Sequence, residues 1–302
     1  MIQLLIAATA TFFLLQLIPG DPVLVMLGDE VTKERADALR HELGLDKPIA
    51  NQFVSWLVNA AQLDLGNSIT SGRPVVDEVM RRLPRTLELS AAGLLIAIAM
   101  GFPIGIIAAI RRGSLLDLGS NVIAVIGFSV PVFVAGFLMV LVLSMKLGWL
   151  PAVGYIPFSQ NPGGHLLRLL MPAIAVSLGI TAVTTRLVRS TTLEAMSKDY
   201  VRTARAKGVS SIGVLLRHVV RNSLIPVVTV LGYYFAQTFG GSILTERIFN
   251  WPGLSFLLID SIQQRDYPMI QGVLLVIVAL FLLVNLLVDL VIGLMDPRIR
   301  YG

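Results

Sequence analysis

The chain has 302 residues, of which 55% are hydrophobic and only 14% are charged, and its mean hydropathy is +0.78. This composition excludes an ordinary soluble domain and indicates a protein that crosses a membrane several times. The net charge of +5 does not point to nucleic-acid binding, because the basic excess lies in loops between apolar runs. The absence of cysteine excludes a disulfide framework and a thiolate metal site.

The first element, residues 1–20, is apolar and carries no charge. A secretory signal peptide would need a basic start and a small-residue cleavage site, and neither is clear in this stretch. The run therefore predicts a first transmembrane helix, near the lower limit of about 18 residues for a span. The PGDP sequence at 19–22 is expected to end it.

Residues 21–85 are predicted to form a small domain outside the cytoplasm. The stretch Leu27–Arg85 carries nine acids and eight bases, so it lacks the positive excess of a cytoplasmic loop. Asp46 is expected to cap the second of its two helices. The expected helices are Thr32–Leu43 and Pro48–Ala61, the second with an apolar stripe of Phe53, Trp56 and Leu57.

Five further apolar runs make up the core, residues 86–295. The expected spans are Thr86–Ile110, Asn121–Met145, Leu169–Leu187 with Pro172 in its first turn, Leu224–Leu244 and Met269–Leu294. Basic clusters at 111–112, 189–221 and 298–300 share one side, opposite the near-neutral loops Lys146–Arg168 and Glu246–Tyr267. This charge bias predicts six spans with both termini in the cytoplasm, including a short tail at 296–302.

The polar stretch Arg189–Pro226 separates the fourth and fifth spans and carries seven Lys/Arg residues against two acids. Nothing in Thr192–Lys207 breaks a helix, so we expect one helix there, ended by Gly208 as a left-handed C-cap. Ser210 or Ser211 is expected to cap a second helix. Two interpretations stay open: a basic helix lying on anionic lipid, or a rigid helical pair presented to a cytoplasmic partner.

The sequence DYVRTARAKG, followed by LRHVVRNSLIP, resembles the coupling loop of binding-protein-dependent ABC importer permeases, in their peptide/nickel/glutathione branch. Arg202, Thr203, Ala204 and Gly208 occupy the E-A-A-x-x-x-G positions of the general pattern. Arg202 and Thr203 depart from that pattern in the same way as the branch does. The general pattern would end at Arg221, whereas the LIP sequence here ends at Pro226, which is also the spacing of the branch. The resemblance covers essentially the whole chain, because five further segments occur in the order seen in the branch. They are GLDKP, QFVSWL, LDLGNSI, RPVVDEVMRRLPRTLEL and FNWPGLSFLLIDSIQQRDYP.

The resemblance implies an all-α membrane protein with the type I ABC importer permease fold. Five core helices at 86–295, with a cytoplasmic coupling loop at 189–222, would follow the extra first helix and the outer domain. The implied partners are a second permease, two cytoplasmic ATPases that hold ATP and Mg²⁺, a solute-binding protein and membrane lipid; the chain itself would bind no cofactor. The implied ATPase-coupling residues are Leu193, Met196, Tyr200, Arg202, Thr203, Ala204, Arg205, Lys207 and Gly208.

The implied cargo is a peptide, either a di- or oligopeptide or a glutathione-like one, with nickel chelates, sugars and opines as alternatives. The implied location is the bacterial cytoplasmic membrane. A stand-alone secondary transporter would need inverted repeats or charged mid-span relays, and neither is seen. No GxxxxGK(S/T) motif is present, so this chain is not expected to cradle nucleotide phosphates or to be an enzyme.

Polar residues inside the spans are the remaining candidates. Tyr233 and Gln237 share one helical face with Gly241, and this face lines a pathway or packs on another helix; Ser129 is a further pathway candidate. GFSV at 127–130 departs from the G-x-S-G of intramembrane serine proteases, and no span offers a histidine to activate Ser129. Asp289 lies inside a span, where it forms a structural ion pair or serves transport.

Overall fold

A computed structural model describes residues 2–16, 23, 32–42 and 46–295, and these are overwhelmingly helical. The helices are α1 (Ile2–Gln16), α2 (Lys33–Glu42), α3 (Ile49–Ala61), α4 (Val75–Ile110), α5 (Leu115–Ser129), α6 (Val132–Met139), the π-helix π1 (Val140–Lys146), α7 (Pro162–Ser197), α8 (Asp199–Ala206), α9 (Ser211–Val214), the π-helix π2 (Leu215–Val220), α10 (Arg221–Gly241), α11 (Ile243–Ile248), α12 (Leu254–Gln263) and α13 (Tyr267–Met295). The PGDP stop and the tail at 296–302 lie outside the described residues.

The chain divides into two compact units. The first comprises Met1–Thr86 and Pro252–Leu282, and the second comprises Leu87–Trp251 and Leu283–Gly302. In the first unit, the buried carboxylate of Asp266 accepts hydrogen bonds from the Ser68 hydroxyl and from the backbone N–H groups of Ile69 (3.1 Å) and Met269 (3.3 Å). Bonds to a charged acceptor contribute about 1.5–3 kcal/mol each. Asp266 therefore fastens the loop after α3 to the start of α13.

The core of the second unit lies between α4, α7 and α10. Leu89 and Ala97 of α4 pack in one cluster with residues of α7 and α10. A Cβ on Gly101 would lie 2.9 Å from Thr184 Cβ, and one on Gly105 would lie 2.7 Å from the carbonyl oxygen of Thr185. The small residues near the end of α4 thus let α7 approach closely.

An aromatic cluster closes one end of the second unit around His165, which is buried. Its Nδ1 lies 2.7 Å from the carbonyl oxygen of Ile156, and its Nε2 lies 2.6 Å from Glu88 Oε1. A carbonyl oxygen only accepts hydrogen bonds, so Nδ1 carries a hydrogen and donates it to Ile156. One hydrogen lies between Nε2 and Glu88 Oε1. Trp251, fully buried, packs edge-on to His165 and to Tyr155. This cluster joins α4, the loop before α7 and the end of α11.

The third predicted span is not one straight helix. α5 ends at Ser129, and the following segment Val132–Lys146 is bent from it by 99°. The physical reason is Pro131, which disfavours helical backbone at the preceding residue; Val130 is accordingly extended, with ψ 119°. The span expected over Asn121–Met145 is therefore interrupted at Pro131, and the bent pair is a broken span or a re-entrant loop.

Other boundaries also differ from those expected. α7 begins at Pro162, so Pro172 lies in its interior rather than in the first turn. Pro48, not Asp46, occupies the N-cap of α3, and it makes no side-chain capping bond. α4 runs without interruption from Val75 to Ile110, which is about 54 Å at 1.5 Å per residue. α4 therefore contains the predicted second span, Thr86–Ile110, and begins well before it.

The number of spans can be checked only within the described residues. There, α4, α7 and α13 are each long and apolar enough to cross a bilayer, and the bent pair would make a fourth span. α1 is described over 15 residues and α10 over 21, and neither meets that criterion. The count of six spans thus remains a prediction.

Candidate functional site

The polar stretch after α7 is not the single helix that the sequence predicts. α7 ends at Ser197, Lys198 is extended with ψ 151°, and α8 begins at Asp199. The turn buries Val201 and Ala204 of α8 against Ala195 of α7 and against Val214 and Val219. A straight continuation of α7 would leave these side chains without partners; burying Val201 alone contributes about 1.5–3 kcal/mol.

The break changes which of the predicted coupling residues share a face. Leu193 and Met196 belong to the end of α7, and Met196 packs against the same buried cluster as Val201. Ala204 is also turned inward, so it is not available to a partner protein. Of the predicted coupling residues on α8 and just after it, those with exposed side chains are Tyr200, Arg202, Thr203, Arg205 and Lys207.

Electrostatic contacts at the turn are local. The Nζ of Lys198 lies 2.9 Å from Glu194 Oε1, and this hydrogen bond to a carboxylate raises the pKa of the ammonium group. Arg202 and Asp199 are 3.6 Å apart and largely exposed. Exposed pairs of this kind contribute about 0–1 kcal/mol, so the buried cluster rather than these pairs fixes the turn.

The end of α8 follows the prediction. Gly208 has φ +79°, the left-handed conformation expected of a C-cap, and its N–H donates to the carbonyl of Arg205. Ser210 then caps α9 by accepting from the N–H of Gly213. α9, π2 and α10 follow one another without a gap in the helical backbone. The loop is therefore joined directly to the predicted fifth span.

A bidentate ion pair joins α5 and α7. Arg189 Nε lies 2.6 Å from Asp117 Oδ1, and Arg189 Nη2 lies 2.9 Å from Asp117 Oδ2. The Asp117 side chain is only 8% exposed and also accepts from the N–H of Gly113 (2.9 Å) and from Asn121 Nδ2 (3.2 Å). Parallel bonds of this type fix geometry as well as adding energy. The pair therefore ties the turn after α4, the start of α5 and α7 at one point.

Sequence reasoning did not single out Asp117, although a signal was present. It is the only acidic residue between Glu88 and Glu194, and it lies in a stretch that the basic pair at 111–112 marks as cytoplasmic. A lone acid among bases at the ends of spans is a candidate for such a pair.

The predicted pathway residues are placed but their role is untested. Tyr233 and Gln237 are both exposed on the same face of α10, and no atom lies within 4 Å of a Cβ built on Gly241. Ser129 is exposed at the end of α5, beside the break. Asp289 is exposed on α13, and no ion pair to it is formed by the residues that the structure describes. Its pairing stays a prediction.

Replacing Asp117 tests the ion pair. We expect Asp117→Ala to destabilise the purified protein by about 1.5–3 kcal/mol, because Arg189 loses a charged, mostly buried acceptor. Thermal unfolding in detergent is the measurement. Arg112→Ala, an exposed base in the same turn, should change little. The double variant Asp117→Ala/Arg189→Ala should lose less than the sum of the two single changes; additive losses would mean that the pair carries no coupling energy.

Two family descriptions match the chain over nearly its whole length. Residues 101–301 match the binding-protein-dependent transport system inner membrane component, and residues 1–90 match the N-terminal region of the same kind of membrane component. A putative peptide transport system permease protein of Brucella abortus is 43% identical over 99% of this chain and 95% of its own length. A glutathione transport system permease protein of Escherichia coli K12 is 41% identical over the same shares.

Solved structures give the same fold at lower identity. A chain of the inward-facing MetNI methionine ABC transporter superposes with a TM-score of 0.58 at 16% identity, over 72% of this chain and 96% of that one. An amino acid ABC transporter gives a TM-score of 0.52 at 17% identity, over 74% and 94%. The likeness shows the ABC importer permease fold expected from the sequence, and the near full-length identity to relatives fixes the assignment: the chain belongs to the family of binding-protein-dependent transport system inner membrane components.

Proposed function

We propose that this chain is a permease subunit of an ATP-driven importer that carries peptides, of the dipeptide, oligopeptide or glutathione kind, across the bacterial cytoplasmic membrane. The relatives named for peptide and glutathione transport, at 43% and 41% identity, support the cargo. In this proposal the permease itself hydrolyses nothing. Two separate ATPases bind ATP and Mg²⁺, a second permease completes the pathway, and a solute-binding protein delivers the peptide.

The observation that carries the coupling role is the orientation of α8. Its apolar residues Val201 and Ala204 are already used inside the chain, so apart from Tyr200 it shows mainly polar and basic groups outward. A helix lying on lipid needs a free apolar face, which α8 lacks. Its polar face suits a protein groove, and we assign that groove to one of the ATPases.

Movement of α8 would reach the spans by two routes. α8 is packed on the end of α7 through Ala195 and on the π2 segment through Val219, and π2 continues into α10. A shift of the ATPase surface therefore acts on α7 and α10 together. In this proposal the spans move as rigid bodies between inward-facing and outward-facing states. The exposed face of α10 with Tyr233 and Gln237 would then line the pathway or meet the second permease.

The orientation in the membrane follows from the same assignment. Arg111, Arg112 and the basic residues around α8 would lie in the cytoplasm, and with six spans both termini would lie on that side. The first unit, Met1–Thr86 with Pro252–Leu282, would then be the outer unit and would face the solute-binding protein through α2, α3 and α12.

Reconstitution tests the function. Proteoliposomes containing this chain, its second permease and both ATPases should accumulate a radiolabelled dipeptide only when ATP and the binding protein are both supplied. Uptake that proceeds without the ATPases, driven by an ion gradient, would contradict the proposal and favour a secondary transporter.

Gly208 separates coupling from folding. No atom lies within 4 Å of a Cβ built there, so a side chain finds room, but φ +79° strains a β-branched residue such as valine by roughly 1 kcal/mol or more. We expect Gly208→Val to insert at near wild-type abundance while uptake and substrate-stimulated ATP hydrolysis both fall sharply. Gly208→Asn is the matched control, because asparagine tolerates this conformation, and it should keep most of both activities. If Gly208→Val keeps as much uptake and ATP hydrolysis as Gly208→Asn, the conformation of this turn plays no part in coupling.

A further inference from the structure

The helix α3 in the outer unit carries no charged residue and has none of its 13 residues fully buried. Its residues fall into three stripes along the helix. One consists of Phe53, Trp56 and Ala60, a second of Val54, Val58 and Ala61, and a third of Asn51, Ser55, Asn59 and the following Gln62.

The first stripe packs on α1. The Phe53 ring lies 5.3 Å from that of Phe12 and 5.6 Å from that of Phe13, and the Trp56 ring lies 5.6 Å from that of Phe12, all between ring centroids. These edge-on and tilted contacts fix one side of α3 against α1.

The second stripe has no partner within the described residues. The side chains of Val54 and Val58 are 57% and 50% exposed, and Ile49 at the start of the helix is 51% exposed. The third stripe is exposed as well, but it is polar and uncharged. Beyond its contact with α1, α3 therefore presents an apolar side and a neutral polar side.

The neighbour α1 indicates what covers the apolar side. α1 is uncharged, and its exposed side chains are mainly apolar: Ile2, Leu5 and Ile6 are exposed by 76%, 51% and 63%, and the polar Gln3 is exposed beside them. Such a helix has its stable place in lipid. Because α3 is fastened to α1 by the aromatic contacts, the exposed valines of α3 lie beside a lipid-facing surface.

Length and composition then fix how α3 sits. Its 13 residues span about 20 Å, too short to cross a hydrocarbon core of about 30 Å. Asn and Ser side chains can hydrogen-bond lipid headgroups without the cost of burying a charge. Trp56 has the apolar body and polar tip that place tryptophan at membrane–water boundaries.

We propose that α3 lies in the plane of the membrane interface, with Val54 and Val58 in contact with lipid acyl chains and the Asn51/Ser55 stripe toward water. The outer unit would thus contact the membrane at its surface through α3, in addition to the helices that cross the bilayer. This inference goes beyond the proposed function and does not depend on which solute is carried, since the contact is with lipid alone.

Spin labels test the proposal, and the chain has no native cysteine to interfere. Val54→Cys and Val58→Cys are labelled in one set, and Asn51→Cys and Ser55→Cys form the matched control set on the same helix. The complete importer is placed in lipid nanodiscs, and the accessibility of each label to oxygen and to a water-soluble nickel chelate is measured by power saturation.

We expect labels at 54 and 58 to be several-fold more accessible to oxygen than to the chelate, and labels at 51 and 55 to show the reverse. Equal access of the chelate to all four sites would place α3 in water and overturn the proposal. If the labels at 54 and 58 are immobilised and inaccessible to both reagents, this face of α3 is covered by a protein partner, such as the second permease, and the lipid proposal is overturned. Bimane at the same positions, quenched by brominated lipid but not by iodide, gives an independent readout.

Discussion

The surface that α8 presents depends on the turn at Lys198. Because the backbone is extended there, α8 folds back and buries Val201 and Ala204 against α7 and the segment that leads into α10. Without that burial α8 would be a short, polar helix with no fixed orientation, since helices of eight residues are not stable alone in water. Fixed in this way, its exposed groups form a defined surface at the end of two long helices.

α7 contacts α4, α5 and α10, so it would transmit a movement of α8 to these helices. Toward the C-terminal end of α7, Arg189 holds Asp117 of α5, and earlier in the helix Thr184 and Thr185 meet Gly101 and Gly105 of α4 at close range. Val188 belongs to the cluster that also contains Val227 of α10. Close-packed contacts of this kind do not deform gradually, so a displacement of α7 would favour a change between discrete packings.

Local signals in the sequence identified the features that depend on local chemistry. Gly208 at the end of a basic helical run and Ser210 before a short helix have the conformation and the capping contact expected of them. The break at Lys198 could not be found in this way, because Ser197–Asp199 contains no strong helix breaker. The helix ends there because the distant residues Val214 and Val219 bury Val201, and that gain is tertiary.

Two other features could be predicted from the sequence only in part. Pro131 was visible within an apolar run, and proline predicts a kink, but the 99° bend depends on how α6 then packs. Asp117 was visible as a lone acid, yet its partner lies 72 residues further along the chain, and periodicity does not pair such positions.

The central claim is that α8 and the end of α7 move as one body when the ATPases bind ATP. Asp199→Cys on α8 and Ser190→Cys on α7, both at exposed positions, carry a pair of spin labels for pulsed electron–electron distance measurement in the reconstituted importer. The account predicts an unchanged distance between these labels in the nucleotide-free and ATP-trapped states, while the distance from Asp199→Cys to the corresponding helix of the second permease shifts. A shift in the first distance larger than the width of its own distribution would show that α8 moves independently of the span and would contradict the account.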